Sequence, residues 1–196
     1  MLILASGSPR RKELLRASGL NFEVRTFDVD ESSVVEKDGA ALSYKLACLK
    51  AKTAAQRLTE EKYGDFTVLG ADTVVEKDYK IYGKPKDASD ALRMLKELCG
   101  GEHEVYTSVC LIASDNTFAA RTVKTKVEFG AFDEARLTVY VRSGKSFGKA
   151  GAYGLQDEEL KFLIKDIDGD RDSVIGLPTG AVLEMLKEKA KWRQWK

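Results

Sequence analysis

The sequence predicts an α/β protein built on a mixed sheet, and three observations carry that prediction. Short β-rich runs alternate with helical segments along the chain, the pattern of strands covered by helices. Two of the β-rich runs are long and consecutive, "HEVYTSVCLIA" and "TFAARTVKTKVEF", joined at Ser114–Asn116, so antiparallel hairpins are mixed with crossovers. Hydrophobic residues make up 43% and charged residues 32% of 196 positions, which suits one sizeable core. A single domain over 1–196 is expected, without repeats, low-complexity tracts or linkers.

Each element follows in order. "LILAS" reads as a short buried strand running into a helix with Ser8 as N-cap and Pro9 as first residue. That helix reaches about Ala17, with Gly19 as its stop. "NFEVRTFDVDE" alternates as a strand that ends in an acidic loop. Residues 40 to 57 place Leu42, Leu46, Ala47 and Leu49 at helical spacing. "FTVLGADTVVEKDYKIYGKP" predicts a buried strand, a break at Gly-Ala-Asp-Thr, and a hairpin turning near Lys77–Asp78. "DASDALRMLKELCG" is an amphipathic helix with an Asp or Ser cap and a Gly stop. Residues 133 to 143 read as helix, "LKFLIKDIDGD" as strand, and Gly180 to Lys191 as a C-terminal helix.

Charge and cysteine usage exclude several classes. Net charge is +1, from 32 basic and 31 acidic residues, which argues against stable attachment to nucleic acid or membrane by bulk charge. Cys48, Cys99 and Cys110 are odd in number and contain no Cys-x-x-Cys pair. They read as small buried hydrophobes in a reducing cytosol. The apolar start "MLIL" is too short for a signal peptide, and no stretch approaches the roughly 20 residues of a membrane span. A cytoplasmic protein is expected.

The chemical signals begin with Arg10 and Arg11, placed where a helix start carries partial positive charge and unpaired N–H groups. In isolation, two solvated arginines are the common case. At a strand-to-helix turn, however, α/β folds bind ligands, and helix N–H groups with two guanidiniums suit a polyphosphate. Asp72 in "GADTVV" could hold Mg²⁺ or take a proton from water, or could cap its own turn. Glu31 in "DVDES" could complete a metal site with Asp72, or belong to a solvated acidic loop. Lys84 in "YGKP" could meet phosphate as a point charge, or be one more surface lysine. In "AGAYGLQ", the Gln156 amide could read the O4/N3–H edge of uracil or thymine, or the loop could simply close over the core.

Other features fail their own tests. "DIDGDRDS" has its glycine fourth rather than sixth and is not an EF-hand. No Walker A loop or Gly-x-Gly-x-x-Gly occurs. His103 is the only histidine and lies in a strand-like run, against a zinc site or a catalytic triad. The tail "KWRQWK" reads as a packing anchor or dimer contact rather than a nucleic-acid contact.

"LASGSPRR", "DVDES", "LACLKAK", "GADTVV", "GKP", "AGAYGLQ" and "GLP" occur in an order that resembles the Maf family of nucleoside triphosphate pyrophosphatases, over nearly the whole chain. The resemblance implies hydrolysis of an NTP to the NMP and pyrophosphate with a divalent metal, Mg²⁺ foremost and Mn²⁺ or Co²⁺ as alternatives. It implies an elongated mixed sheet flanked by helices, as in inosine triphosphate pyrophosphatases, with a cleft between two lobes. It also implies a homodimer, in a family some of whose members were first linked to septum formation. Matched motif by motif, the catalytic carboxylate falls on Asp72, its acidic partner on Glu31, the arginines on Arg10 and Arg11 after Ser8, and the lysines on Lys50 and Lys84. Glu31 and Asp72 would be the metal ligands. Arg10, Thr73 and Gln156 fall on positions tied to base choice and look like the dTTP- and UTP-hydrolysing subfamily. Four features depart from the pattern: Ser108 and Asp157 in place of glycine, Gly148 in place of aspartate, and the run "GDRDSVIGLP". The alternative is a nucleotide-binding regulator of cell division that does not turn its ligand over.

Overall fold

The computed structural model describes residues 1–193, with side chains through Glu188. The apolar run at the start forms β1 (Leu2–Leu4), and Ser8 caps α1 (Pro9–Ala17), its Oγ accepting from Arg11 N. Next come β2 (Phe22–Val24), α2 (Gly39–Glu60), β3 (Thr67–Lys77), β4 (Lys80–Tyr82) and α3 (Ala88–Leu98). The long hairpin is β5 (Gly101–Ala113) and β6 (Phe118–Phe129); α4 (Glu134–Arg142), β7 (Ile164–Asp168), α5 (Arg171–Ile175) and α6 (Thr179–Arg193) complete the order. Aspartates cap α2, α3, α4 and α5, each carboxylate accepting a backbone N–H of the first turn.

The strands make one mixed sheet in the order β2-β1-β3-β5-β6-β7, with β4 paired to β3. β1 runs parallel to both β2 and β3, and the remaining pairings are antiparallel. The β3–β4 turn is the two residues Asp78 and Tyr79, at φ 51° and 62°, the left-handed pair that matches the twist of a tight hairpin. α2 covers one face of the sheet, packing Ala47, Ala51, Ala54 and Leu58 on Ile3, Val68 and Cys110. The other face buries Leu15, Leu69, Ala71, Val109 and Met185 in one cluster, and Val75, Leu95, Val105, Tyr140 and Leu163 in another.

Four expectations need correction. The Gly-Ala-Asp-Thr segment is not a break: β3 runs straight through it. Gly70 serves close packing, because a Cβ there would lie 2.4 Å from Ala47 O and 2.7 Å from Ala51 N of α2. "NFEVRTFDVDE" forms a strand only at Phe22–Val24, and Glu31–Ser33 is a single 3₁₀ turn. In "LKFLIKDIDGD" the strand is confined to Ile164–Asp168, and α5 follows unforeseen. Of the three cysteines only Cys110 is fully buried; Cys48 and Cys99 are partly exposed. The tail side chains of "KWRQWK" lie outside the described residues. Among the described residues, no helix is long and apolar enough to cross a membrane.

Replacing Gly70 with alanine is expected to lower stability by about 1–3 kcal/mol through overpacking, read as a reduced urea midpoint at unchanged slope. His103 gives a pH prediction. Burial, with a smaller contribution from the Lys77 charge, pulls its pKa down from 6.5 to about 3. The unfolded chain therefore gains a proton below pH 6.5 that the folded protein refuses. Stability is complete above that pH and should fall by about 2 kcal/mol between pH 7 and pH 5. Urea titrations of His103→Gln should show that slope flattened.

Candidate active site

A cavity of about 880 Å³ opens beside the start of α1. Its walls come from residues 5–11, the 26–31 segment, α2, the middle of β3, the end of β4 and the loop 147–154. Because side chains alternate along a strand, Asp72 and Thr73 point to opposite faces of β3, and each face supplies its own cation.

On the α2 face, Lys50 Nζ donates to Asp72 Oδ1 at 2.6 Å and stands 3.1 Å from Glu31 Oε1. Asp72 is 7% exposed, so its charge is taken from water and must be matched locally. On the opposite face, the Arg11 guanidinium donates from Nε to Gly176 O (2.9 Å), from Nη1 to Ser6 Oγ (3.2 Å) and from Nη2 to Thr73 Oγ1 (3.3 Å). Burial lowers its pKa, partly offset by the Asp72 charge. Thr107 has one hydroxyl proton, and the Ser173 carbonyl at 2.7 Å can only accept it. Thr107 Oγ1 is also the donor in its 3.0 Å contact with Thr73 Oγ1, so that proton is shared between two acceptors. Thr73 Oγ1 thus accepts from both Arg11 and Thr107 and keeps its own proton to offer a ligand.

Arg10 faces a different wall, donating to Gly148 O at 3.3 Å. Burial lowers its pKa, and the nearby Asp157 charge opposes that. Lys84 is exposed at the rim and makes no hydrogen bond or ion pair among the described residues. Ser8 lines the cavity as the α1 cap. The structure thus brings Ser8, Arg10, Arg11, Glu31, Lys50, Asp72, Thr73 and Lys84 to one cavity. Gln156 is left out: it is exposed, does not line the cavity, and its Nε2 lies over Gly154.

Sequence reasoning missed a buried ion pair beside it. Asp157 is buried, with its Oδ2 accepting from Lys149 Nζ and, at 2.7 Å, from Tyr140 OH. Burial first, then this hydrogen bond, raises the Tyr140 pKa. Lys149 and Gly154 both line the cavity, so the ion pair stiffens the loop that Arg10 touches. The only signal was that Asp157 stands where a glycine was expected. Gly148 is explained by its φ of +70°, which an aspartate would adopt with strain.

The residues fit a divalent cation. Lys50 already occupies a point between two carboxylates, showing that the position stabilises positive charge. Two hard oxygen donors suit Mg²⁺, whose remaining positions are commonly filled by water and phosphate oxygens. Among the described residues there is no cluster of three or more His, Cys, Asp or Glu side chains able to hold a metal alone.

Among solved structures, the chain is similar to a nucleoside-triphosphatase / dITP/XTP pyrophosphatase from Mycobacterium abscessus. That likeness covers 98% of this chain and 96% of the other, at TM-score 0.44 and 12% identity, too weak to carry an argument. Sequence relatives are nearer. A dTTP/UTP pyrophosphatase from Acetivibrio thermocellus is 42% identical over 190 residues, 95% of this chain and 94% of the relative. A second, from Ruminiclostridium cellulolyticum, is 40% identical over 96% of this chain and 97% of its own length. The model of the Maf-like protein family matches residues 1–189, and with these relatives it establishes that the chain belongs to the Maf family.

Proposed function

We propose that this protein is a nucleoside triphosphate pyrophosphatase that cleaves the α–β phosphoanhydride of dTTP and UTP, giving the nucleoside monophosphate and pyrophosphate. One observation carries the reading. The Lys50-bridged carboxylates Asp72 and Glu31 share a cavity with Arg10, Arg11 and Lys84, in a chain about 40% identical to enzymes of that name.

The triphosphate lies along the start of α1, where the Arg10 backbone N–H and the Arg10 and Lys84 charges meet its oxygens. Asp72, oriented through Oδ1 by Lys50, accepts a proton from the water that attacks the α-phosphorus. The new P–O bond forms as the bond to the bridging α–β oxygen breaks, and pyrophosphate departs with its charge facing the cationic wall. Glu31 and Asp72 would hold a divalent cation, Mg²⁺ or alternatively Mn²⁺ or Co²⁺, which when bound offsets negative charge on the phosphate oxygens. Toward the base, Thr73 is a donor and suits a ring carbonyl that uracil and thymine both offer. Gln156, whose amide lies beside the cavity-lining Gly154, supplies a further donor and acceptor for the base edge. The enzyme acts in the cytoplasm as a homodimer, a setting supported by the free cysteines and the family resemblance.

The reading is tested by incubating the purified protein and Mg²⁺ with a panel of nucleoside triphosphates and measuring pyrophosphate. Release should be fastest from dTTP and UTP, and Asp72→Asn should slow it by about 10²–10⁴. Binding of these nucleotides without any release would instead identify a regulator.

A further inference from the structure

The loop 147–154 carries a cation that the proposed chemistry leaves unused. Lys149 is 7% exposed, yet it lines the cavity. Its ammonium has three N–H donors. One goes to Asp157 Oδ2, which also accepts from Tyr140 OH of α4 at 2.7 Å. Among the described residues, Nζ makes no other hydrogen bond or ion pair. Two donors of a nearly buried cation are therefore unspent, and a buried donor without an acceptor is costly. The cavity is the open space that this side chain borders.

Gly154 marks where those donors are held. A Cβ there would lie 2.8 Å from Lys149 Nζ, 2.8 Å from Asp157 Oδ2 and 3.0 Å from Gln156 Nε2. Only a glycine leaves room for the ammonium, its carboxylate and the amide to gather over one point of the wall. Lys149 Nζ and Gln156 Nε2 are thus near enough for one carbonyl oxygen, with its two lone pairs, to accept from both. Asp157 offsets the Lys149 charge. The point therefore suits a neutral acceptor, whereas phosphate is better served by Arg10 and Lys84, which have no such ion pair among the described residues.

We propose that Lys149, held in place by Asp157, donates to O4 of the uracil or thymine base and is the residue that rejects cytosine. The inference rests on the proposed pyrimidine substrate. Gln156 alone reads the base edge ambiguously. Its amide pairs with O4 and N3–H in one orientation, and with N3 and the N4 amino group of cytosine when turned over. An ammonium can only donate. Facing cytosine, it meets another donor at the N4 amino group, and its own N–H groups stay buried without an acceptor. Asp157 is a positioning residue: it fixes the ammonium above Gly154 and is itself fixed by Tyr140.

The test is equilibrium binding, by calorimetry on the full-length protein, of UTP and CTP analogues with a methylene bridge between the α and β phosphorus atoms. The wild-type protein should bind the uridine analogue at least roughly tenfold more tightly than the cytidine one. Lys149→Met combined with Asp157→Asn removes both charges together and leaves neither buried alone. In that variant the preference should fall to within about threefold, through weaker uridine binding at unchanged cytidine affinity. Lys149→Gln keeps a shorter donor for Asp157 and serves the same test should the double variant not fold. Equal affinity for the two analogues in the wild-type protein, a preference retained in a folded variant, or an equal loss of both affinities would overturn the inference. Pyrophosphate release from UTP by the wild-type protein reports on the proposed function separately. Release without the binding preference refutes the role of Lys149 alone; the preference without release refutes the enzyme alone.

Discussion

The close approach of α2 to β3 at Gly70 is the constraint on which the site depends. Ala47 and Ala51 ride over the glycine, and Lys50 lies beside Ala51 on the same helical turn. Asp72, two residues beyond Gly70, presents its carboxylate to the same face, so the backbone contact delivers the Lys50 ammonium to 2.6 Å from Asp72. A side chain at position 70 would lift the helix and leave a nearly buried carboxylate without its partner. The ion pair is poor evidence of stability, because desolvation consumes most of its Coulombic gain; losing one partner is what is costly. Its contribution is positional, holding two acidic groups and a cation at one point of the cavity wall.

The two arginines at the start of α1 have different work. Arg11 commits three of its five N–H donors to Gly176 O, Ser6 and Thr73, and so ties α1 to β3 and to the end of α5. Its charge, facing Asp72 from across the strand, belongs to the wall. Arg10 makes one contact, to a backbone carbonyl of the opposite loop, and is the freer of the two to turn toward a ligand. The local conflict between a cation and a helix N-terminus is therefore resolved in two ways: by protein acceptors for Arg11, and by a place facing the cavity for Arg10.

Much of this was legible in the sequence because it depends on period and capping. The alternation of β-rich and helical runs gave the mixed sheet, and Ser8, Asp87 and Asp133 mark their helices by local chemistry alone. What failed has a tertiary cause. Gly70 looks like a turn residue until α2 is seen lying on it. Gln156 and Asp157 are neighbours, and only the path of the loop decides which is exposed and which is buried against Lys149 and Tyr140. Ser108, in place of an expected glycine, is accommodated because Ser43 and Thr122 both lie 2.8 Å from its hydroxyl. No local pattern could have disclosed a partner on another helix.

That serine contact belongs to a wider arrangement. On the α2 face a row of hydroxyls runs Ser43–Ser108–Thr122. On the other, Thr73 meets Thr107, Thr107 meets the Ser173 carbonyl, and Thr125 meets the Ser173 hydroxyl at 2.8 Å. Buried hydroxyls with all partners present fix a single packing, because any slip leaves polar groups unsatisfied. Both rows cross the sheet at the level of Asp72 and Thr73, paired in register with Ser108 and Thr107, so β3 is pinned from both sides where the reacting groups project. The backbone beneath the cavity is therefore preorganised. The adjustments that substrate requires fall to the long side chains of Arg10 and Lys84, which are held by one contact and by none among the described residues. In the proposed mechanism, a rigid strand carrying the carboxylate, faced by side chains free to follow the phosphates, lets one site hold the attacking water in place while the leaving group moves away.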